Sequence, residues 1–209
     1  MTRILLADDH AIVREGLKRL LTEKLDGAVF GEAKDAREAL ALGLAKPWDA
    51  VILDLSLPGR SGLDVLKDLR QKRPKTPVLI LSMHPEDQFG VRAIKGGAAA
   101  YIVKESAPEV LVDALKLAMA GRKFITAGIA ERLAEDAGRD PDRAPHENLS
   151  DREYEVLHLI AQGHTVAGIA RRLSLSAKTI STYRTRLLEK LRLKTTAQII
   201  RYAFKNGLE

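Results

Sequence analysis

Five polar side chains stand at the ends of short apolar runs, and their types point to one kind of chemistry. Asp8 and Asp9 follow Arg3–Ala7, Asp54 follows Ala50–Leu53, Ser82 follows Val78–Leu81, and Lys104 follows Ala100–Val103. Three carboxylates gathered in one place repel each other, and a hard divalent cation removes that cost. Oxygen-only ligands with room for water suit Mg2+. A hydroxyl and an ammonium facing the acids and the metal complete an anion site with its own counter-charges. The plainer alternatives are an aspartate that caps the next helix and a Lys104 that only pairs with Asp54. Capping explains one of the three acids but not all of them.

These residues converge only if the runs are neighbouring strands. Apolar runs recur at Arg3–Ala7, Ala28–Gly31, Ala50–Leu53, Val78–Leu81 and Ala100–Val103. Val51-Ile52-Leu53 and Val78-Leu79-Ile80-Leu81 are continuous, as expected of parallel strands buried on both faces. Between the runs lie helical stripes: Ile12, Leu17, Leu20 and Leu21; then Leu63, Leu66 and Leu69; then Val110, Leu111, Ala114, Leu115 and Ala118. Five β–α repeats imply an α/β, flavodoxin-like domain with a five-stranded parallel sheet of order 2-1-3-4-5. In such sheets ligands bind beyond the carboxyl ends of the strands where the order reverses, here between strands 1 and 3.

The chain has 209 residues, which suits two domains better than one. It has no cysteine, which excludes disulfides, thiolate metal sites and cysteine nucleophiles and fits a reducing compartment. No apolar run approaches the roughly 20 residues of a membrane span, and acid interrupts the N-terminal apolar run before signal-peptide length is reached. A cytoplasmic protein with no membrane partner is expected. Charge is unevenly placed: residues 1–122 carry 19 Lys/Arg and 17 Asp/Glu, residues 123–147 carry 4 and 6, and residues 148–209 carry 11 and 5. The net +6 of the chain therefore equals that of its last 62 residues. A basic C-terminal unit suggests a polyanion partner, although a solvated helical surface is the bland alternative. Ala137–His146 holds two prolines, a glycine and no large apolar residue, so residues 123–147 read as a linker between domains at 1–122 and 148–209.

The C-terminal unit reads as four short helices. Ser150-Asp151-Arg152-Glu153 is a capping box that opens a helix carrying Val156, Leu157, Leu159 and Ile160. A short helix from Thr165 to Leu173, a turn at Ser174-Leu175-Ser176 and a longer helix over Ala177–Leu191 form a helix-turn-helix. The longer helix buries Ile180, Tyr183, Leu187, Leu188 and Leu191 and presents Lys178, Ser181, Thr182, Arg184, Thr185 and Arg186, with no acid before Glu189. Small hydroxyls can reach base edges, while Lys and Arg reach phosphates. A last helix runs from about Thr196 to Lys205.

The set Asp8-Asp9, Asp54-Leu55-Ser56-Leu57-Pro58-Gly59, Leu81-Ser82 and Tyr101-Ile102-Val103-Lys104 resembles the receiver domain of two-component response regulators. The set Leu149-Ser150, Arg152-Glu153, Glu155-Val156-Leu157 and Lys178-Thr179-Ile180-Ser181-Thr182-Tyr183-Arg184 resembles the LuxR-type DNA-binding domain. Together they resemble the NarL/FixJ family over nearly the whole chain. The resemblance implies that Asp54 accepts a phosphoryl group from a sensor histidine kinase. It implies that Asp8, Asp9, Asp54 and the Ser56 carbonyl hold Mg2+, that Ser82 and Lys104 bind phosphoryl oxygens, and that Tyr101 turns inward as a switch. Ser181, Thr182 and Thr185 would contact bases, and Lys178, Thr179, Arg184, Arg186 and Lys194 phosphates. Dimerisation through the last helix would use Ile199, Ile200 and Tyr202. One departure is Val166-Ala167-Gly168, where the family commonly carries Asn-Lys-Glu. His10 reads as a surface residue, because one His after two consecutive Asp is not metal-ligand spacing. His84, two residues after Ser82, borders the crevice.

The expected function is a transcriptional response regulator that binds promoter DNA as a homodimer when Asp54 is phosphorylated. In the resting state the receiver is expected to mask the DNA-binding unit or its dimer surface. The expected catalysis is limited to phosphoryl transfer onto its own Asp54, so the chain is not expected to be an enzyme. The rival class, a Mg2+-dependent phosphatase or phosphotransferase acting on a small substrate, uses the same aspartate but leaves the basic helix-turn-helix unexplained.

Overall fold

In a computed structural model the chain divides into two compact units, Met1–Ala137 and Gly138–Glu209. The structure describes residues 1–137 and 145–208.

In the first unit β1 (Arg3–Ala7), β2 (Val29–Ala33), β3 (Ala50–Asp54), β4 (Val78–Ser82) and β5 (Ala100–Val103) alternate with α1 (Ala11–Lys24), α2 (Ala36–Ala45), α3 (Gly62–Lys72), α4 (Glu86–Lys95) and α5 (Ala107–Met119). The strands are parallel in the order β2-β1-β3-β4-β5, as expected. Every residue of β3 and β4 is buried, which is why these runs are uninterruptedly apolar. β2, at the sheet edge, is buried only at Ala33. It begins one residue later than its apolar run and extends to Ala33, because its pairing with β1 continues to Ala7↔Ala33. On one side of the sheet Leu17 and Leu21 of α1 and Leu111 and Leu115 of α5 close over Ile4, Leu6, Ile52 and Leu79.

The register sets the site. Ala7 pairs with Leu53, Asp54 with Leu81, and Ser82 with Val103. Asp8 and Asp54 therefore leave the sheet side by side, with Ser82 one step further out and Lys104 two.

Two expectations are corrected here. Ile12, placed on the buried stripe of α1, is 83% exposed. In the first turn of α1 it is Val13, partly buried, that packs against the core, and Ile12 points away from it. Second, the segment 123–147 is not all linker. Phe124 bonds through its N–H to Ala99 O at 2.8 Å, and Ala127–Ala137 forms a further helix, α6, packed on α4. Gly90 of α4 makes this possible: a β-carbon there would lie 2.7 Å from Ile129 Cδ1. Thr126 Oγ1 donates to Glu86 Oε2 at 2.7 Å, and Arg132 to Asp87 O at 2.8 Å. Most of the Pro- and Gly-bearing stretch, residues 138–144, lies outside the described residues.

Among its described residues the second unit holds a 3-10 turn (Pro145–Asn148) and four helices, α7 (Asp151–Ala161), α8 (Val166–Arg172), α9 (Ala177–Lys190) and α10 (Thr196–Lys205). The capping box of α7 is present, with Ser150 Oγ accepting from Glu153 N and Glu153 Oε2 from Ser150 N. Lys190 of α9 donates to the same carboxylate at 2.6 Å. Burial alone would raise the Glu153 carboxyl, and the bonds from Lys190 and Ser150 outweigh it and hold the group below its ordinary value. Val156, Leu157, Ile169, Ile180, Leu187, Ile199 and Ala203 form the core. The turn between α8 and α9 passes through Ser174 in the left-handed region (φ 52°).

Candidate functional site

The crevice at the carboxyl edge of the sheet is built around one lysine, its side chain 10% exposed. Lys104 Nζ lies 2.7 Å from Asp8 Oδ2 and 3.1 Å from Asp54 Oδ2, although both carboxylates are almost fully buried. A bridge at this spacing neutralises only one of two adjacent negative charges. Burial therefore pushes the Asp54 carboxyl up to about 6, against the lowering pull of Lys104 and with a further push from Asp8. Burial would lower the Lys104 ammonium, but the charge of Asp54 and the bond to Asp8 more than offset it and raise the group. Ser56 N donates to Asp54 Oδ1 at 3.3 Å, so the loop after β3 grips the carboxylate from its backbone.

That loop is tight for a stated reason. Gly62 N donates to Leu55 O at 2.7 Å, and a β-carbon on Gly62 would lie 2.2 Å from Asp54 O. On the other side Arg14 reaches from α1 to donate to Asp8 O at 2.7 Å and pairs with Glu32 at 2.9 Å. The Asp8-Asp9 turn is thus held by a neighbouring helix and strand.

Asp8, Asp9, His10 and Asp54 each offer a ligand atom, all within 4.8 Å of one another. The three carboxylates fit a hard divalent cation: they are oxygen donors and carry more negative charge than Lys104 alone can balance. Asp8 and Asp54 line the buried wall, and Asp9, with a 30% exposed side chain, faces the opening. His10 is a surface residue, as expected, with its side chain 64% exposed, but its ring stands beside the acids. Its Nδ1 lies 2.7 Å from Asp9 Oδ1 and 3.3 Å from Asp8 Oδ1, and its N–H donates to Asp8 Oδ1 at 2.8 Å. Sequence spacing hides this, because the chain turns at His10 to enter α1.

Ser82 is fully buried, and its Oγ accepts from His84 N at 3.0 Å. Tyr101 is turned inward, 1% exposed, with its hydroxyl donating to His84 O at 2.9 Å. Burial raises the Tyr101 phenol well above its ordinary value, so it remains a donor. His84 is buried against Phe89, and its Nε2 lies 3.4 Å from Ser56 Oγ. The β4–α4 loop is therefore gripped by Ser82, Tyr101 and Ser56 together.

The second candidate surface is α9. Ser176 caps it by accepting from Thr179 N at 3.0 Å, with Thr179 Oγ1 2.8 Å from Ser176 Oγ. Ile180 and Leu187 are buried, as expected of the inner stripe. Of the expected DNA contacts, Lys178, Thr182, Thr185, Arg186 and Lys194 are exposed, while Thr179, Ser181 and Arg184 are half-buried. Arg184 borders the inner stripe, and its Nε is buried without a hydrogen-bond partner. Arg186 lies over the Tyr183 ring, 6.0 Å from its centroid. Ile199, expected at a dimer surface, is fully buried in the core, and Phe204 is the large apolar residue that α10 exposes. Tyr202 is half-buried with its hydroxyl 3.0 Å from His146 Nδ1. Among the described residues no helix is long and apolar enough to cross a membrane.

Comparison with known proteins bears on both surfaces. Residues 4–116 match the family profile of the response regulator receiver domain, and residues 147–203 that of bacterial regulatory proteins of the luxR family. Response regulator GacA of Pseudomonas aeruginosa is 32% identical over 209 residues, covering all of this chain and 98% of that protein. Transcriptional activator protein ExaE of Pseudomonas putida is 37% identical over 207 residues, covering 98% of this chain and 97% of its own. Among solved structures, RcsB of Salmonella enterica serovar Typhimurium, bound to promoter rprA with the phosphomimetic BeF3-, superposes with a TM-score of 0.64. That match is at 26% identity and covers 96% of this chain and 97% of that one. With a receiver fold carrying its acidic crevice and a helix-turn-helix carrying its basic face, matched in this order from end to end, the chain belongs to the NarL/FixJ family of two-component response regulators.

Proposed function

We propose that this protein is a transcription factor controlled by phosphorylation of Asp54, and that phosphorylation favours a homodimer that binds promoter DNA. The observation that carries the reading is Lys104 bridging Asp8 and Asp54 at 2.7 and 3.1 Å at the reversal point of the sheet. With its carboxyl at about 6, Asp54 is mostly ionised at pH 7 and can act as a nucleophile.

A sensor histidine kinase supplies the phosphoryl group. An Asp54 oxygen attacks phosphorus as the P–N bond to the donor imidazole breaks, and the electron pair leaves with that nitrogen. Carboxylates attack phosphate poorly, so positioning and charge neutralisation drive the step. Asp8, Asp9 and Asp54, with the Ser56 carbonyl, would hold Mg2+, which supplies neutralisation of the phosphoryl oxygens when bound. Lys104 pairs with one phosphoryl oxygen and the Ser82 hydroxyl donates to another.

Phosphorylation places roughly two negative charges where one carboxylate stood. Drawing Ser82 towards them competes with its bond from His84 N, and Tyr101 follows through His84 O. A few kcal/mol of bias is enough to shift a two-state population. The dimer would use the outward side of α10, where Phe204 is exposed rather than Ile199. It would read two half-sites about one helical turn apart. The reaction is confined to its own Asp54, and the proposed location is the cytoplasm, where a kinase and DNA are both accessible.

The test is light scattering of the full chain with Mg2+, with and without a small phosphodonor, beside Asp54→Ala. A donor-dependent rise in mass in the wild type alone, with tighter DNA binding, is expected. Absence of phosphorylation would sink the switch, and a constant mass with full phosphorylation would sink the dimer step.

A further inference from the structure

We infer that Thr182 and Thr185 read DNA as hydrogen-bond acceptors, so that they select adenine or cytosine amino groups rather than guanine or thymine carbonyls. This rests on the proposed DNA-binding role of α9 and specifies what its exposed face can recognise.

The geometry fixes where the hydroxyl protons go. Thr182 Oγ1 lies 3.0 Å from Lys178 O, and Thr185 Oγ1 lies 3.1 Å from Ser181 O. A backbone carbonyl can only accept, so each threonine donates its single hydroxyl proton back into the helix. What remains on the outward side of each oxygen is lone-pair density, with the γ-methyl beside it. Both threonines are exposed and one turn apart on one stripe with Lys178 and Arg186.

Before Glu189, near the C-terminal end of α9, no other side chain on that stripe accepts. From Ala177 to Leu188 there is no Asp, Glu, Asn or Gln. The Ser176 and Thr179 hydroxyls are tied to each other at the helix cap, and Ser181 is half-buried. Lys178 and Arg186 only donate. From Lys178 to Arg186 the exposed stripe is therefore a donor at its ends and an acceptor at its middle. In the major groove the base groups that donate are adenine N6 and cytosine N4; guanine O6 and N7 and thymine O4 accept. An acceptor held against a purine thus favours adenine over guanine, and against a pyrimidine favours cytosine over thymine.

The test is selection of binding sites from a random duplex library by the full chain with Mg2+ and acetyl phosphate, repeated with Thr182→Val and Thr185→Val. Valine keeps the threonine methyl in nearly the same place and puts a second methyl where the hydroxyl stood, so the acceptor is lost. Any preference carried by contact with a thymine methyl therefore survives the change. The wild type should require adenine or cytosine at two positions, one of which loosens in each variant by roughly five- to tenfold in relative affinity. The other positions, and the salt dependence, should stay as they were. Unchanged thermal melting of both variants excludes misfolding as the cause. The inference is overturned if the loosened positions are guanine or thymine, or if neither variant loosens any position. A wild type that binds DNA but selects no sequence would overturn the base-reading role of α9 as a whole, an outcome separate from those two.

Discussion

The acidic crevice and the outward face of α9 are both polar, but they are built in opposite ways. Asp8 and Asp54 are 2% and 3% exposed and share one lysine, so their charges are desolvated and only partly balanced. Lys178, Thr182, Thr185 and Arg186 stand in solvent, and their protein partners are their own helix or the Tyr183 ring. The first surface stores electrostatic energy inside the fold, so a change of charge there is felt by the surrounding loops. The second stores almost none, and its groups cost the fold little until DNA arrives. A switch belongs in the first kind of place and a reading head in the second.

The largest effect should come from Gly62→Ala, where the new methyl would overlap the Asp54 carbonyl. We expect a loss of about 3 kcal/mol in the stability of the first unit, with phosphorylation impaired and the α7–α10 unit unchanged. Amide exchange on the full chain separates the two. Equal losses in both units would break the contrast between them.

Asp54→Asn should act in the opposite direction. Its folded carboxyl sits at about 6 against 3.8 in a free chain, so the folded state takes up the proton first. The stability this contributes is complete below 3.8 and is lost as pH rises through about 6. Replacing the carboxylate should therefore raise stability at pH 7 in EDTA by about 2 kcal/mol and flatten the profile between pH 4 and 6. Denaturant titrations at several pH values measure this, and a wild type that gains stability over that window relative to the variant would contradict it.

Glu153→Ala should cost about 1 kcal/mol in the second unit, since it removes one half of a capping box. Because the Glu153 carboxyl is held low, its contribution is present above pH 4.5 and is lost as pH falls through its depressed value. The smallest effect on the fold belongs to Lys178→Ala, with stability within about 0.5 kcal/mol of the wild type. The same change should lower the salt dependence of DNA binding by about one unit of slope. A destabilised Lys178→Ala protein would show that the reading face also supports the fold.

The periodicity of apolar residues was enough for the parallel strands, and the doubly wound class they imply carried the order. β3 and β4 are buried on both faces, and a continuous apolar run says so directly. Polar residues ending such runs could be placed on one edge for the same reason. The helix α6 was hidden by Gly128, two alanines in its first turn and a run of charged residues, although Thr126 and Ile129 gave a faint signal of a cap and an inward residue. The position of His10 depends on where the chain turns into α1, and that of Ile12 on which side of the first turn, Val13 rather than Ile12, meets the core. Neither leaves a mark in residue spacing. Ile199 and Phe204 lie on one short amphipathic helix, and only the packing of α7 and α9 decides which of them is covered.

By itself the sequence determined the parallel sheet, the helix-turn-helix, the capping boxes and the residues that meet at the strand ends, because these follow from local periodicity and from chemistry at chain turns. The tertiary structure alone decided that Lys104 bridges two buried carboxylates, that Tyr101 points inward to His84, and that the threonine protons of α9 turn back to their helix. Those are properties of rotamers and burial, set by neighbours distant in the chain or by the local choice among side-chain wells, and residue order does not encode them singly.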